Sequence, residues 1–154
     1  MNPQPQKAIV QVTRKFSASA ERVFDAWLDP NTAGKWLFAT PTGKMVKVKI
    51  DARVGGSYLI VESRDGIDVD HTGEYLEIDR PRRLVFTLKV PKYSQESTRL
   101  TIEIRALESG CELTLTHEGV LPDYIARTTS GWNMILDHLA ATLQSQAAPP
   151  FLTK

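Results

Sequence analysis

A change in hydrophobic period is the feature that most constrains the fold of this chain. Apolar and polar residues alternate from about Met45 to His117, a period of two that is typical of half-buried β-strands. Turn sequences such as Asp65-Gly66 and Ser109-Gly110 interrupt the alternation. The pattern predicts six consecutive strands near residues 45–50, 57–62, 71–78, 84–88, 100–104 and 111–117. Short connections between them favour an antiparallel meander with one apolar face.

The period becomes helical after Leu121-Pro122, where a proline suits the first turn of a helix. The apolar side of this helix falls within an arc of about 100° and comprises Ile125, Thr128, Trp132, Ile135, Leu136, Leu139 and Leu143. An uncovered apolar sheet would be an aggregation surface, so we expect this long helix to cover the meander.

One strand and two short helices are predicted ahead of the meander. The strand spans residues 9–16, and Ser17 or Ser19 can cap a helix over residues 20–28. Asp29-Pro30 ends that helix and begins a second one that continues over residues 33–38. The predicted fold class is therefore α+β, with a seven-stranded curved antiparallel sheet wrapped around a long C-terminal helix.

Length, charge and cysteine content limit the kinds of partner and the domain organisation that we expect. The chain has 154 residues and a formal net charge of +1, so no strong field attracts nucleic acid or an anionic membrane. Cys111 is the only cysteine, which excludes an internal disulfide. No apolar segment resembles a signal peptide or a membrane span, and we expect a cytoplasmic protein. Residues 8–146 are predicted to form one domain with flexible ends at 1–7 and 147–154, as a monomer or homodimer.

Several segments, in this order and spacing, resemble the sequences of a known family. These segments are residues 20–30 with Lys35-Trp36, 51–58, 73–78, 83–87 and Gly131-Trp132. Over residues 16–143 the chain resembles the activator of heat-shock protein 90 ATPase homologue family, within the START-like (SRPBCC) superfamily. The resemblance implies a helix-grip fold. It leaves the function open, because this superfamily includes lipid carriers, cyclases and stress proteins on one scaffold.

A ligand site is predicted between the sheet and the long helix, where aromatic side chains are abundant. The candidate ligand-binding residues are Trp36, Phe38, Tyr58, Tyr75, Phe86, His117, Trp132, Ile135 and Leu139. We expect Trp36 and Phe38 near its mouth. Trp132 either walls a pocket or simply fills the core, and in both cases Gly131 before it would let the helix approach the sheet or make room for the indole.

His117 is the main polar candidate, because strand alternation places it on the inward face with Leu113 and Leu115. It could orient a ligand or transfer protons, or it could be a hydrogen-bonded histidine at a strand end. Cys111 has the same facing, but six residues along a strand separate it from His117 by about 20 Å, which excludes a direct dyad. No motif for a metal, phosphate or nucleophile is present, so no catalytic residue, metal ligand or cofactor is assigned.

Three functions remain open at this point. The leading hypothesis is binding of a small apolar or amphipathic ligand, with burial of apolar surface as the source of affinity. The second is a chaperone-associated interaction module, which predicts an exposed apolar patch. The third is a cyclase or hydrolase type of enzyme, which requires at least two polar side chains converging in the pocket.

Overall fold

Seven antiparallel strands form one curved sheet in the computed structural model, which describes residues 7–147. The strands are β1 (Ala8–Phe16), β2 (Lys44–Ile50), β3 (Ser57–Arg64), β4 (Ile67–Asp79), β5 (Arg83–Leu88), β6 (Thr98–Ala106) and β7 (Cys111–Val120). The helices are α1 (Ala20–Ala26), α2 (Pro30–Trp36) and α3 (Ile125–Ala147), the last preceded by a 3₁₀ turn at Pro122–Tyr124. The predicted fold class is confirmed. None of the described helices is long and apolar enough to cross a membrane.

The strand order is β1-β7-β6-β5-β4-β3-β2, so β2 to β7 form the predicted meander and β1 adds to its far end. The α1 and α2 helices carry the chain from β1 across to β2 at the opposite edge. Most of the two predicted flexible ends, at residues 1–6 and 148–154, lies outside the described residues.

Side-chain caps determine where the two short helices begin. Ser19 Oγ accepts a hydrogen bond from the Arg22 N–H at 3.2 Å, so Ser19 rather than Ser17 is the cap of α1. Asp29 accepts from the Asn31 N–H at 3.2 Å, and Pro30 follows it in the first turn of α2. The two helices therefore follow each other with almost no linker, as the Asp-Pro pair predicted.

The sheet bends along β4, which pairs with β3 in its first part and with β5 in its last. The register shifts between Tyr75 and Glu77, and such a bulge increases the local bend and twist. Gly73 lies just before this point, where an added Cβ would come within 1.9 Å of the Thr87 carbonyl oxygen. Glycine is therefore required at the bend by the close approach of the backbone of residue 87.

Along the described part of α3, the hydrogen bonds and ion pairs to other elements begin at Trp132. Leu136, Leu139 and Leu143 are buried against the core. Arg14 on β1 forms an ion pair with Asp137, and Arg22 Nη2 donates to the Leu143 carbonyl at 2.8 Å.

The beginning of α3 is more exposed than the helical wheel predicted. Ile125, assigned to the inward arc, is 38% exposed and Leu121 just before the helix is 42% exposed. Thr128 is only half-buried. The wheel gives the direction of each side chain but does not reveal where along the helix the cover ends, so Ile125 was predicted wrongly.

Gly131 also differs from expectation. Apart from its chain neighbours and the backbone of its own helix, an added Cβ at this position would meet no atom within 4 Å, so this glycine does not serve a close approach of the helix to the sheet. The interpretation that Gly131 lets the helix approach the sheet was therefore wrong, because open space adjoins this side of the helix.

Replacing Gly131 by alanine is therefore expected to stabilise the protein. A mid-helix glycine costs about 1 kcal/mol relative to alanine when no contact requires it. Urea unfolding of Gly131→Ala should give a free energy of unfolding higher by about 0.5 to 1 kcal/mol. The matched change Gly73→Ala should destabilise instead, because its Cβ would overlap the Thr87 carbonyl. A loss of stability in Gly131→Ala would contradict the open space beside it.

Candidate functional site

Seven buried aromatic side chains converge on the inner face of the sheet and are called the aromatic cluster here. They are Trp27, Trp36, Phe38, Tyr58, Tyr75, Phe86 and Trp132, each at most 4% exposed. The centroids of contacting rings within the cluster lie 4.7 to 6.4 Å apart, in tilted, T-shaped or stacked geometry. Such spacings are typical of favourable aromatic pairs. Side chains from both ends of the sequence therefore meet in one apolar region.

A small cavity lies within this region. It measures about 10 Å³ and is lined by Trp27, Leu37, Tyr58, Tyr75, Leu84 and Phe86. This volume is at the lower limit for one water molecule. The aromatic cluster thus fills nearly all the space that the sequence assigned to a ligand.

Three of the nine predicted ligand residues line the cavity, namely Tyr58, Tyr75 and Phe86. The other six do not, and they are Trp36, Phe38, His117, Trp132, Ile135 and Leu139. Trp36 is fully buried and donates its indole N–H to the Ala26 carbonyl at 3.1 Å, so it does not lie at an open mouth.

The prediction missed three lining residues, which are Trp27, Leu37 and Leu84. Leu84 shares the inward facing of Phe86 by strand alternation, so the sequence carried that signal. Trp27 lies in the segment predicted as the first helix, residues 20–28, and its packing against Phe86 on β5 depends on tertiary contacts that helical periodicity does not describe. Leu37 lies at the end of α2, where no period applies.

His117 is buried on the inner face, as alternation predicted, and lies in a chain of three hydrogen bonds. Trp132 Nε1–H donates to His117 Nδ1 at 3.0 Å, and Thr98 Oγ1 lies 2.8 Å from His117 Nε2. Because Nδ1 accepts, Nε2 carries the proton and donates to Thr98. The Thr98 hydroxyl in turn donates to the Leu88 carbonyl at 3.2 Å. Each donor in this chain therefore has an acceptor.

Burial lowers the pKa of His117 from its ordinary value of 6.5 to about 4. The imidazole is neutral at physiological pH, and both of its nitrogens are engaged. In this conformation His117 fixes the Trp132 indole against β7. This arrangement corresponds to the hydrogen-bonded alternative and offers no free group for proton transfer.

A second set of buried polar contacts is centred on Glu62 on β3. The sequence pattern did not predict these contacts. The Glu62 side chain is 1% exposed and accepts hydrogen bonds from the Thr40 N–H, the Thr40 hydroxyl and Arg64 Nε. The pKa of the Glu62 carboxyl group is lowered overall. Burial acts to raise it, but the hydrogen bonds from Arg64 and Thr40 and the positive charge of Arg64 outweigh the effect of burial. The carboxylate thus holds the segment between α2 and β2 against the sheet.

Phe38 joins these polar contacts to the aromatic cluster. Its ring stacks on His71 with 4.4 Å between centroids and an interplanar angle of 8°. Its backbone φ is +62°, which is uncommon for a residue with a bulky side chain. His71 donates through Nδ1 to the Ile60 carbonyl at 3.2 Å. Burial, followed by the charge of Arg64, lowers the pKa of His71 to about 4, so it is also neutral.

A polar groove of about 160 Å³ lies on the surface, lined by Arg22, Asp25, Ala26, Asp29 and Thr32. Asp25 forms a two-pronged ion pair with Arg80, and Asp29 caps α2. Within residues 7–147, no group of three or more histidine, cysteine, aspartate or glutamate side chains is placed to hold a metal ion.

The family model described as "Activator of Hsp90 ATPase homolog 1-like protein" matches residues 17–144. The chain belongs to this family. The resemblance noted from the sequence is therefore confirmed. No curated protein matches the chain in sequence.

Solved structures of the activator of Hsp90 ATPase homolog 1-like family and of related proteins share the helix-grip fold. A Chromobacterium violaceum protein is 30% identical, with a TM-score of 0.79, over 86% of this chain and 94% of its own. A Staphylococcus aureus protein of unknown function is 16% identical with a TM-score of 0.85, over 96% and 100%. An AHSA1-like protein from Aeromonas hydrophila is 19% identical with a TM-score of 0.79, over 90% and 94%. The last two likenesses concern the fold alone.

Proposed function

We propose that this protein binds a small apolar or amphipathic molecule between the sheet and the α3 helix. The observation that carries the proposal is the aromatic cluster, whose rings enclose a cavity without a charged residue in its lining. Ligand sites are mostly apolar with few polar groups, and burial of apolar ligand surface supplies affinity at roughly 25 cal/mol per Å².

Binding requires the cavity to expand, because about 10 Å³ holds no organic molecule. No described α3 residue lines the cavity, but Trp132 packs against Trp27, which does, so displacement of α3 would free one wall of the cavity. The beginning of α3 is the part of this helix best suited to move. Tyr124, just before the helix, and Ile125 are exposed, and none of the described hydrogen bonds or ion pairs joins α3 to another element before Trp132. Segments with few buried contacts open at low free-energy cost.

The predicted ligand contacts fall into two groups under this proposal. Tyr58, Tyr75 and Phe86 form walls of the closed cavity. The others reach the ligand when α3 and the segment after α2 move away from the sheet, and they are Trp36, Phe38, His117, Trp132, Ile135 and Leu139.

A thermal-unfolding screen against lipids and small aromatic molecules tests the proposal. A ligand at about 100 times its Kd stabilises the native state by about 2.7 kcal/mol, which corresponds to a Tm increase of roughly 5 to 10 °C for a chain of this size. Leu84→Phe, which fills the cavity, should abolish the increase. Leu121→Phe makes the same change at an exposed position and should keep it.

Two results would contradict the proposal. One is a screen in which no apolar or amphipathic compound raises the Tm of the unmodified protein. The other is a ligand that stabilises Leu84→Phe and Leu121→Phe equally, since such a ligand binds outside the aromatic cluster.

A chaperone-associated role is the second candidate, and one observation favours it. Leu121, Tyr124 and Ile125 form an exposed apolar segment at the beginning of α3, as an interaction module requires. Stimulation of the ATPase of a purified Hsp90-type chaperone, lost in a Tyr124→Ser variant, would support this role. An unchanged ATPase rate in the presence of the unmodified protein would remove it.

A further inference from the structure

Trp27 is the one tryptophan of three whose indole N–H lacks a hydrogen-bond partner. Trp36 donates to the Ala26 carbonyl and Trp132 donates to His117. Trp27 is 1% exposed, its Nε1 is buried, and the residue lines the small cavity. Among the described side chains, His138 Nδ1 is the only other buried nitrogen or oxygen atom without a partner. An orphaned buried donor of this kind is rare in folded proteins.

We propose that the Trp27 indole N–H is the polar anchor of the ligand site and binds a hydrogen-bond acceptor. The ligand is then a neutral, mainly apolar molecule that carries a carbonyl or ether oxygen. This inference rests on the function proposed above and specifies the chemistry of the same site.

The six residues that line the cavity do not favour an anionic ligand. No lysine, arginine or histidine is among the six, so a buried carboxylate or phosphate would have no compensating charge. Burial raises the pKa of both Tyr58 and Tyr75, so their hydroxyls remain neutral. The Tyr58 hydroxyl already donates to the Thr87 carbonyl at 2.7 Å.

A cationic ligand is disfavoured by the same anchor. Aromatic faces attract cations, but an ammonium group has only donors and would leave the Trp27 N–H unpaired. A neutral acceptor satisfies this donor, while the rest of the molecule contacts the rings of the aromatic cluster.

A single trapped water is a weaker explanation for the unpaired donor. Buried waters usually make two to four hydrogen bonds, and the volume of about 10 Å³ is at the lower limit for one. The lining residues supply only three polar side-chain groups, which are Trp27 Nε1 and the hydroxyls of Tyr58 and Tyr75. The Tyr58 hydroxyl already donates to the Thr87 carbonyl, so a water there would have few partners.

Three probes that share one bicyclic skeleton test the inference: 1-indanone, which has a carbonyl acceptor, indane, which has none, and indane-1-carboxylate, which is an anion. We expect 1-indanone to bind the full chain about 3 to 10 times more tightly than indane, as one net hydrogen bond implies, and the carboxylate to bind least. Trp27→Phe removes the N–H and should bring 1-indanone down to the affinity of indane.

The indole N–H resonances of the unmodified protein provide a readout that does not depend on the folding of Trp27→Phe. In ¹H–¹⁵N spectra, 1-indanone should shift the Trp27 indole proton downfield, and indane should not. The Trp36 indole, whose partner is a backbone carbonyl, is the internal control. Equal binding and equal shifts with both neutral probes would overturn the acceptor inference but leave the proposed function intact. If none of the three probes binds and none shifts the Trp27 indole proton, the inference is overturned. If, in addition, no compound in the wider thermal-unfolding screen raises the Tm, the proposed function is overturned as well.

Discussion

The free energy of unfolding is expected to fall steeply as the pH is lowered from about 6.5 to 4. His71 and His117 are both buried and neutral, and burial lowers each pKa from 6.5 to about 4. In the unfolded chain both histidines regain an ordinary pKa of about 6.5. Between these values the unfolded state binds two protons that the native state does not.

The sign of the pH effect follows directly. Stability is fully present above pH 6.5 and is lost as the pH falls, at up to about 1.4 kcal/mol per pH unit for each histidine. Over the whole window each histidine accounts for about 3 kcal/mol, which is a large part of the 5 to 15 kcal/mol typical of a domain. Below pH 4.5 the lowered pKa of Glu62 adds to the loss. Arg64 and Glu62 are the charged groups that act on His71, whereas no charged group contributes to the shift of His117.

Urea unfolding followed by tryptophan fluorescence between pH 5 and 6.5 measures this slope. The unmodified protein should lose about 2 to 3 kcal/mol per pH unit. His117→Gln should halve the slope, His71→Gln should do the same, and the double variant should nearly flatten it. Single variants with the slope of the unmodified protein would mean that the two imidazoles are charged in the native state.

Truncation of Trp132 is expected to cause the largest loss of stability for a single substitution in α3. Trp132→Ala removes a side chain that is 4% exposed and contacts Trp27 and Phe38 in the aromatic cluster. It also leaves His117 Nδ1 without its donor. Large buried aromatics replaced by alanine typically cost about 3 to 5 kcal/mol.

Trp132→Phe separates packing from hydrogen bonding. It keeps a ring but removes the donor to His117, so a smaller loss of about 1 to 3 kcal/mol is expected. Tyr124→Ala, an exposed aromatic just before the same helix, should change stability by at most about 0.5 kcal/mol. The measurement is the urea midpoint at pH 7. A cost below 1 kcal/mol for Trp132→Ala would contradict the packing of α3 on the sheet.

Element order and facing were predictable because they depend on local periodicity. Alternation correctly placed Leu113, Leu115 and His117 inward, and the Asp-Pro pair correctly began α2. The turn at Asp65-Gly66, where both residues have positive φ, followed from the sequence for the same reason.

The site was harder to predict because its geometry depends on distances between elements. The sequence pattern indicated that Trp132 and His117 both face inward. It did not indicate the hydrogen bond between them, which engages the imidazole that was the main polar candidate. The pairing of buried Glu62 with Thr40 joins residues 22 positions apart, and strand alternation alone did not determine which way Glu62 faces. The size of the cavity depends on how bulky side chains interlock, which no periodicity describes.

The pairing of the first strand with the last has a consequence for synthesis of the protein. Among the described strands β1 pairs only with β7, about 100 residues later in the chain, so the sheet remains incomplete until residues 111–120 have left the ribosome. Until then the aromatic side chains of the intervening strands lack their final cover, and α3 follows β7 in the chain. Pairing of strands that are distant in sequence slows folding and prolongs the exposure of apolar surface. The nascent chain is therefore the stage at which this protein is most vulnerable to aggregation.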